Sequence, residues 1–96
     1  MVKRFEFDFE DEGPRELSYV ASDTNCERLD ISQESETSAL YLNREAAQVL
    51  AEIFARLALG SYQPGFHLHI PRNFNDQDRE VMRVTLVSSG CRMDEE

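Results

Sequence analysis

Residues 43–60, NREAAQVLAEIFARLALG, hold the clearest periodicity in the chain. Ala47, Leu50, Ile53, Phe54, Leu57 and Ala58 recur at helical spacing and define an apolar face. Arg44, Gln48, Glu52 and Arg56 recur every four residues along the opposite side. Glu52 precedes Arg56 in the favourable acid-before-base order. Asn43 has the chemistry of an N-cap, and Glu45 puts negative charge in the first turn, where the helix dipole favours it. Gly60 is a stop signal. One long helix over about 44–59 follows, and its single apolar face needs a sheet to cover it.

Outward from that helix the pattern changes to period two. Residues 3–10, KRFEFDFE, alternate Phe5, Phe7 and Phe9 against Arg4, Glu6, Asp8 and Glu10, the pattern of a strand with one buried and one wet face. Gly13 and Pro14 supply turn chemistry, and ELSYVA (16–21) reads as a second strand in hairpin with the first. CERLDIS (26–32) and ALYL (39–42) read as two further short strands. The polar run QESETS between them is either the tip of a hairpin or a loose loop. Beyond the helix, FHLHI (66–70) and EVMRVTLVS (80–88) are strands flanking the polar loop RNFNDQDR, with Pro71 closing the first of them. The acidic tail over about 89–96 is expected to be flexible. The expected fold is one α+β domain over 1–96: an antiparallel sheet of about six strands with the helix packed on one face. The other face is then polar, dimerised or the working surface.

Composition narrows the function. The 96 residues fit one domain, and 41% hydrophobic residues with six Phe suffice for a modest core. Ten basic against 19 acidic residues give a formal charge of -9. A field of that sign repels phosphate backbones and anionic lipid, so no nucleic-acid or membrane partner is expected, and a cationic protein is favoured. The opening MVKRFEFDFEDE has basic residues with no apolar run behind them, and no stretch is apolar enough to span a bilayer. Cys26 and Cys91 stand in no motif spacing. A cytoplasmic protein with reduced thiols is the expectation.

His67 and His69 share one face of their strand, a geometry able to converge on zinc. A site needs more ligands, which would have to be carboxylates such as Asp76, Asp78 or Glu80. The alternative is that Phe66, Leu68 and Ile70 pack under the helix while the imidazoles line the open face. DFEDEG (8–13) has the alternating oxygens and the sixth-position Gly of a calcium loop, but its twelfth position is Tyr19 where a Glu is needed. There is no G-x-S-x-G, no Gly-rich phosphate loop and no C-x-x-C. No catalysis, cofactor or metal is expected. A surface remains: Glu6, Asp8 and Glu10 with His67 and His69 as partner-binding residues, and Tyr19, Tyr41, Tyr62 and Phe74 as aromatic anchors, Tyr41 and Tyr62 being equally placed for the core. Two alternatives stand beside it, a metal-binding or enzymatic domain using His67 and His69, and a dimeric module that buries the open sheet face.

The block NREAAQVLAEIFARLALGSYQPGFHLHI resembles the helix-then-strand unit of small bacterial immunity proteins of polymorphic toxin systems, in particular the immunity protein 32 family. The resemblance spans residues 38–87 and rests on N-R-E at the helix start, the aliphatic helix ending in L-A and the G-F-H-L-H strand. It implies a cytoplasmic, non-catalytic protein that binds and neutralises a toxin, with His67 and His69 as family-like residues of no assigned chemical role.

Overall fold

Helix α1 (Arg44–Leu59) begins where Asn43 caps it, with Asn43 Oδ1 accepting from the Ala46 amide at 2.9 Å. The same side chain reaches the chain before the first strand: Oδ1 also accepts from the Arg28 amide at 3.1 Å, and Nδ2 donates to the Cys26 carbonyl at 2.6 Å. One residue therefore caps a helix and fastens it to a strand entry. Gly60 ends the helix at φ -84°, so left-handed geometry is not what selects glycine here. Space is the reason: a Cβ would lie 2.7 Å from the Tyr62 ring and 2.8 Å from the Arg56 carbonyl oxygen.

The computed structural model describes residues 1–21, 26–74 and 79–88. Within them the order is β1 (Leu29–Glu34), β2 (Thr37–Leu42), α1, β3 (His67–Pro71) and β4 (Glu80–Thr85). The strands form two separate antiparallel hairpins, β1–β2 and β3–β4. This corrects the expected sheet of about six strands: the fold is α+β, with four strands in two two-stranded sheets and one helix among the described residues. The backbone bond from Leu29 N–H to Arg72 C=O, 2.9 Å, links the entry of β1 to the residue after β3.

The missing strands are residues 3–10 and 16–21, which run without strand pairing. Period-two alternation specifies an extended backbone with sided side chains, and it does not specify a partner strand. In 3–10 the Phe rings found another surface. Phe5, Phe7 and Phe9 stack in series, with centroids 6.4 and 5.8 Å apart, and the Arg56 guanidinium lies 4.7 Å from the Phe7 ring centre and 5.7 Å from that of Phe9. The segment is thus an arm laid on the side of α1 expected to face water. Leu17, Tyr19 and Ala21 pack against the core without joining a ladder.

The polar run QESETS is the hairpin tip. The ladder extends to Gln33 opposite Ser38 and Glu34 opposite Thr37, and Ser35 turns the chain at φ 62°.

The core gathers Leu29, Ala46, Val49, Leu50, Ile53, Ile70 and Phe74. Burying each of Val49, Leu50 and Ile53 stabilises by about 1.5–3 kcal/mol. The inward stripe is therefore 46, 49, 50, 53 and the half-buried 57, rotated from the expected one: Ala47 and Ala58 are exposed, and Phe54 is 47% exposed. Phe74, from the polar loop, plugs the core at φ 62° and meets Tyr19 edge-on at 5.8 Å. A bulky side chain holds positive φ only where packing over-determines it. The acidic tail lies outside the described residues, as do Cys91, Asp76 and Asp78.

Candidate interaction surfaces

The arm carries the first group of expected partner residues. Glu6, Asp8 and Glu10 are all exposed at alternate positions, opposite to Phe7 and Phe9, which are half-buried. Arg4 pairs with Glu6 at 3.3 Å, with both side chains well exposed, so the pair contributes little to stability. Beyond the ring contacts with Arg56, the arm is held at its C-terminal end. Asp11 Oδ1 accepts from the amides of Gly13 (3.0 Å) and Ser61 (3.1 Å), while Oδ2 accepts from Ser61 Oγ at 2.5 Å. These bonds, those from Ser61 foremost, hold the Asp11 carboxyl below the usual carboxylate range. Glu12 accepts from the Ser18 amide at 2.7 Å, and the Tyr62 hydroxyl donates to the Glu16 carbonyl at 2.6 Å. Burial raises the Tyr62 phenol above its ordinary pKa, with the neighbouring carboxylates of Glu12 and Asp11 adding to it. The arm is thus bolted to the turn that follows α1. Asp11 and Ser61 had no motif to announce them, because their bond spans 50 residues.

His67 and His69 lie on the exposed face of β3, with Leu68 and Ile70 turned inward. Their rings meet edge-on with centroids 5.1 Å apart. His69 Nδ1 sits 2.9 Å from Glu80 Oε1, and Glu80 Oε2 is 3.5 Å from Arg83 Nε. The bond to His69, before any other influence, lowers the Glu80 carboxyl from its ordinary pKa. His67 Nδ1 is 3.2 Å from the Gly65 carbonyl. Glu80, a conceivable third ligand, is thus engaged as an acceptor. Among the described residues no group of three His, Cys, Asp or Glu is arranged to hold a metal ion.

Two of the expected associations do not occur. Because the arm is not in a sheet, Glu6, Asp8 and Glu10 share no sheet face with the histidines, and among the described residues no hydrogen bond or ion pair joins the two groups. Of the four aromatic residues considered as anchors, Tyr62 and Phe74 are buried and Tyr19 is partly buried against the core. Only Tyr41, 52% exposed, stands on the surface. Its hydroxyl donates to Glu34 across the hairpin, and that bond raises its pKa.

Two shallow clefts flank the helix start. One, about 350 Å³, is lined by Arg28, Asp30, Tyr41, Leu42, Asn43 and Arg72 among others. The other, about 360 Å³, is lined by Val20, Glu27, Glu45, Gln48, Val49 and Glu52 among others. No helix among the described residues is long and apolar enough to cross a membrane. Compared with protein-family models, with curated proteins and with solved structures, the chain matches none.

Proposed function

We propose that this chain is a non-enzymatic binding module that engages a cationic protein, acting in the cytoplasm as an immunity-type inhibitor of a basic toxin. One observation carries the reading: Glu6, Asp8 and Glu10 stand exposed along an extended backbone whose Phe7 and Phe9 are laid against Arg56. Carboxylates held at alternate positions form a rail of negative charge about 7 Å between neighbours, a spacing fixed by the strand-like rise. Such a rail, on a chain of net charge -9, steers a basic surface into encounter and disfavours acidic partners. Occlusion of the partner's basic surface then needs no chemistry from this chain.

The test uses a lysine-rich polypeptide as the probe and two charge-matched triple variants. Glu6→Gln, Asp8→Asn and Glu10→Gln neutralise the rail. Asp30→Asn, Glu34→Gln and Glu36→Gln change the net charge equally, elsewhere. At low salt the first variant should slow association by roughly tenfold and the second by far less. Equal slowing by both would mean that the probe senses net charge alone, and would remove the arm as the binding surface.

A further inference from the structure

We infer that the outer edge of β2 is self-complementary and pairs with β2 of a second copy of this chain, making one four-stranded sheet across a two-fold axis. The inference concerns a different surface from the arm and does not rest on it.

The phase of the ladder comes first. Asn43 donates its amide to the Arg28 carbonyl, which extends the β1–β2 register by one residue pair. In an antiparallel ladder, bonded and non-bonded pairs alternate. Tyr41, Ala39 and Thr37 therefore turn their backbone groups toward β1, while Leu42, Leu40 and Ser38 turn theirs outward. Leu29 is the corresponding outward residue on β1, and its amide does bond outward, to Arg72. Among the described residues no backbone bond from Ser38, Leu40 or Leu42 leads away from the hairpin.

The composition of the edge is the second observation. β2 reads TSALYL, with neither a charge nor a proline, in a chain with 30% charged residues. Exposed edges are ordinarily blunted by charge, proline or a bulge. The other strands follow that practice: β1 carries Asp30 and Glu34, β4 carries Glu80 and Arg83, and β3 has a register irregularity at Pro71. β1 contacts β4, whereas β2 contacts β1 and the helix that follows it in the chain.

The third observation is the face. The register places Leu29 beside Leu42 and Ile31 beside Leu40, all on one side. Leu29 is buried, but Ile31, Leu40 and Leu42 remain 38%, 45% and 40% exposed.

A two-fold axis normal to the sheet preserves its faces, so only same-parity residues can stand opposite each other. Placing Leu40 opposite Leu40 of the second copy meets this condition and sets Ser38 opposite Leu42 at both ends. The three pairs are all outward-facing, and each exchanges two backbone hydrogen bonds. Ile31, Leu40 and Leu42 of both copies then form one apolar surface. Such an interface is isologous, so it closes at two copies. The -9 charge on each copy opposes association, so screening by salt strengthens it.

The experiment is sedimentation equilibrium of the full chain from micromolar to millimolar concentration, at low and high salt. The expected result is a mass rising from 11.1 kDa toward twice that value, more readily at high salt. Leu40→Lys places two ammonium groups face to face and should weaken the dimer more than about thirtyfold. A wild-type chain that stays monomeric at millimolar concentration and high salt overturns the proposal, as does a folded Leu40→Lys variant that dimerises as tightly as wild type. Should that variant fail to fold, cross-linking decides. In a Cys26→Ser, Cys91→Ser background, Leu40→Cys should form a disulfide between copies, because bonded antiparallel pairs sit about 5.5 Å apart at Cα. Ser32→Cys, on the strand away from the edge, should not. Equal cross-linking at both positions, or none at 40, overturns the register.

Discussion

Residues 3–10 and β2 are both extended and both reach the surface, yet they differ in almost every other respect. The arm carries Arg4, Glu6, Asp8 and Glu10 on its wet side and is held by ring stacking on Arg56 and by the Asp11–Ser61 bonds. β2 carries no charge and, among the described residues, is held by a backbone ladder on one edge only. Charge makes the arm a poor strand for self-pairing and a good surface for steering. The lack of charge makes β2 the reverse. Salt should therefore act on the two in opposite senses, weakening what the arm binds and favouring what β2 binds.

The comparison assumes that one core supports both regions, and Ile53→Ala would test that most severely. Ile53 is fully buried at the centre of the helix stripe, so its truncation should cost about 2–5 kcal/mol. In urea, one transition monitored at Tyr41 and at the Phe rings should shift as a unit. Two separated transitions would show that arm and hairpin are independently stable.

A smaller effect is expected where the arm meets the helix. Arg56→Lys keeps the positive charge in the last helical turn but loses the planar guanidinium over Phe7 and Phe9. A loss of about 0.5–1 kcal/mol follows. Phe7→Leu in the same background should add less than it does alone, since both changes break one contact. Full additivity would separate the arm from Arg56. Neither change should alter self-association through β2.

The smallest effect is a pH dependence confined to the arm's anchor. Asp11 titrates below its ordinary range in the folded chain, so its contribution is complete above the unfolded value, near pH 4, and is lost as pH falls through the folded one. The stability gap between wild type and Asp11→Asn should thus narrow as pH drops below about 4. A gap that stays constant to the lowest pH at which both fold would mean that the carboxylate charge has no part in the bolt. Glu80, lowered by its bond to His69 across the β3–β4 hairpin, titrates in the same sense and should keep its own dependence in the Asp11→Asn chain.

The helix, its Asn43 cap, the four hairpin strands and the outward histidines are legible in the sequence because each rests on contacts a few residues apart, or on a periodicity that needs no partner. Thr37 and Ser38 leave turn and strand equally open in the sequence, since polar residues fit a turn as well as an exposed ladder. The apolar spacing of the helix points about one position away from the buried stripe, because Phe54 and Ala58 are apolar without being buried.

The sequence by itself determined an α+β chain with one amphipathic helix, extended flanks and a strong negative charge. Tertiary structure alone decided which extended segments became strands. Alternation in KRFEFDFE is a statement about side chains, whereas a strand is a statement about backbone partners, and those are chosen by what else is near in space. Here Arg56 and Ser61, some 50 residues away, captured the Phe rings and the Asp11 carboxylate, and the backbone between them was left unpaired.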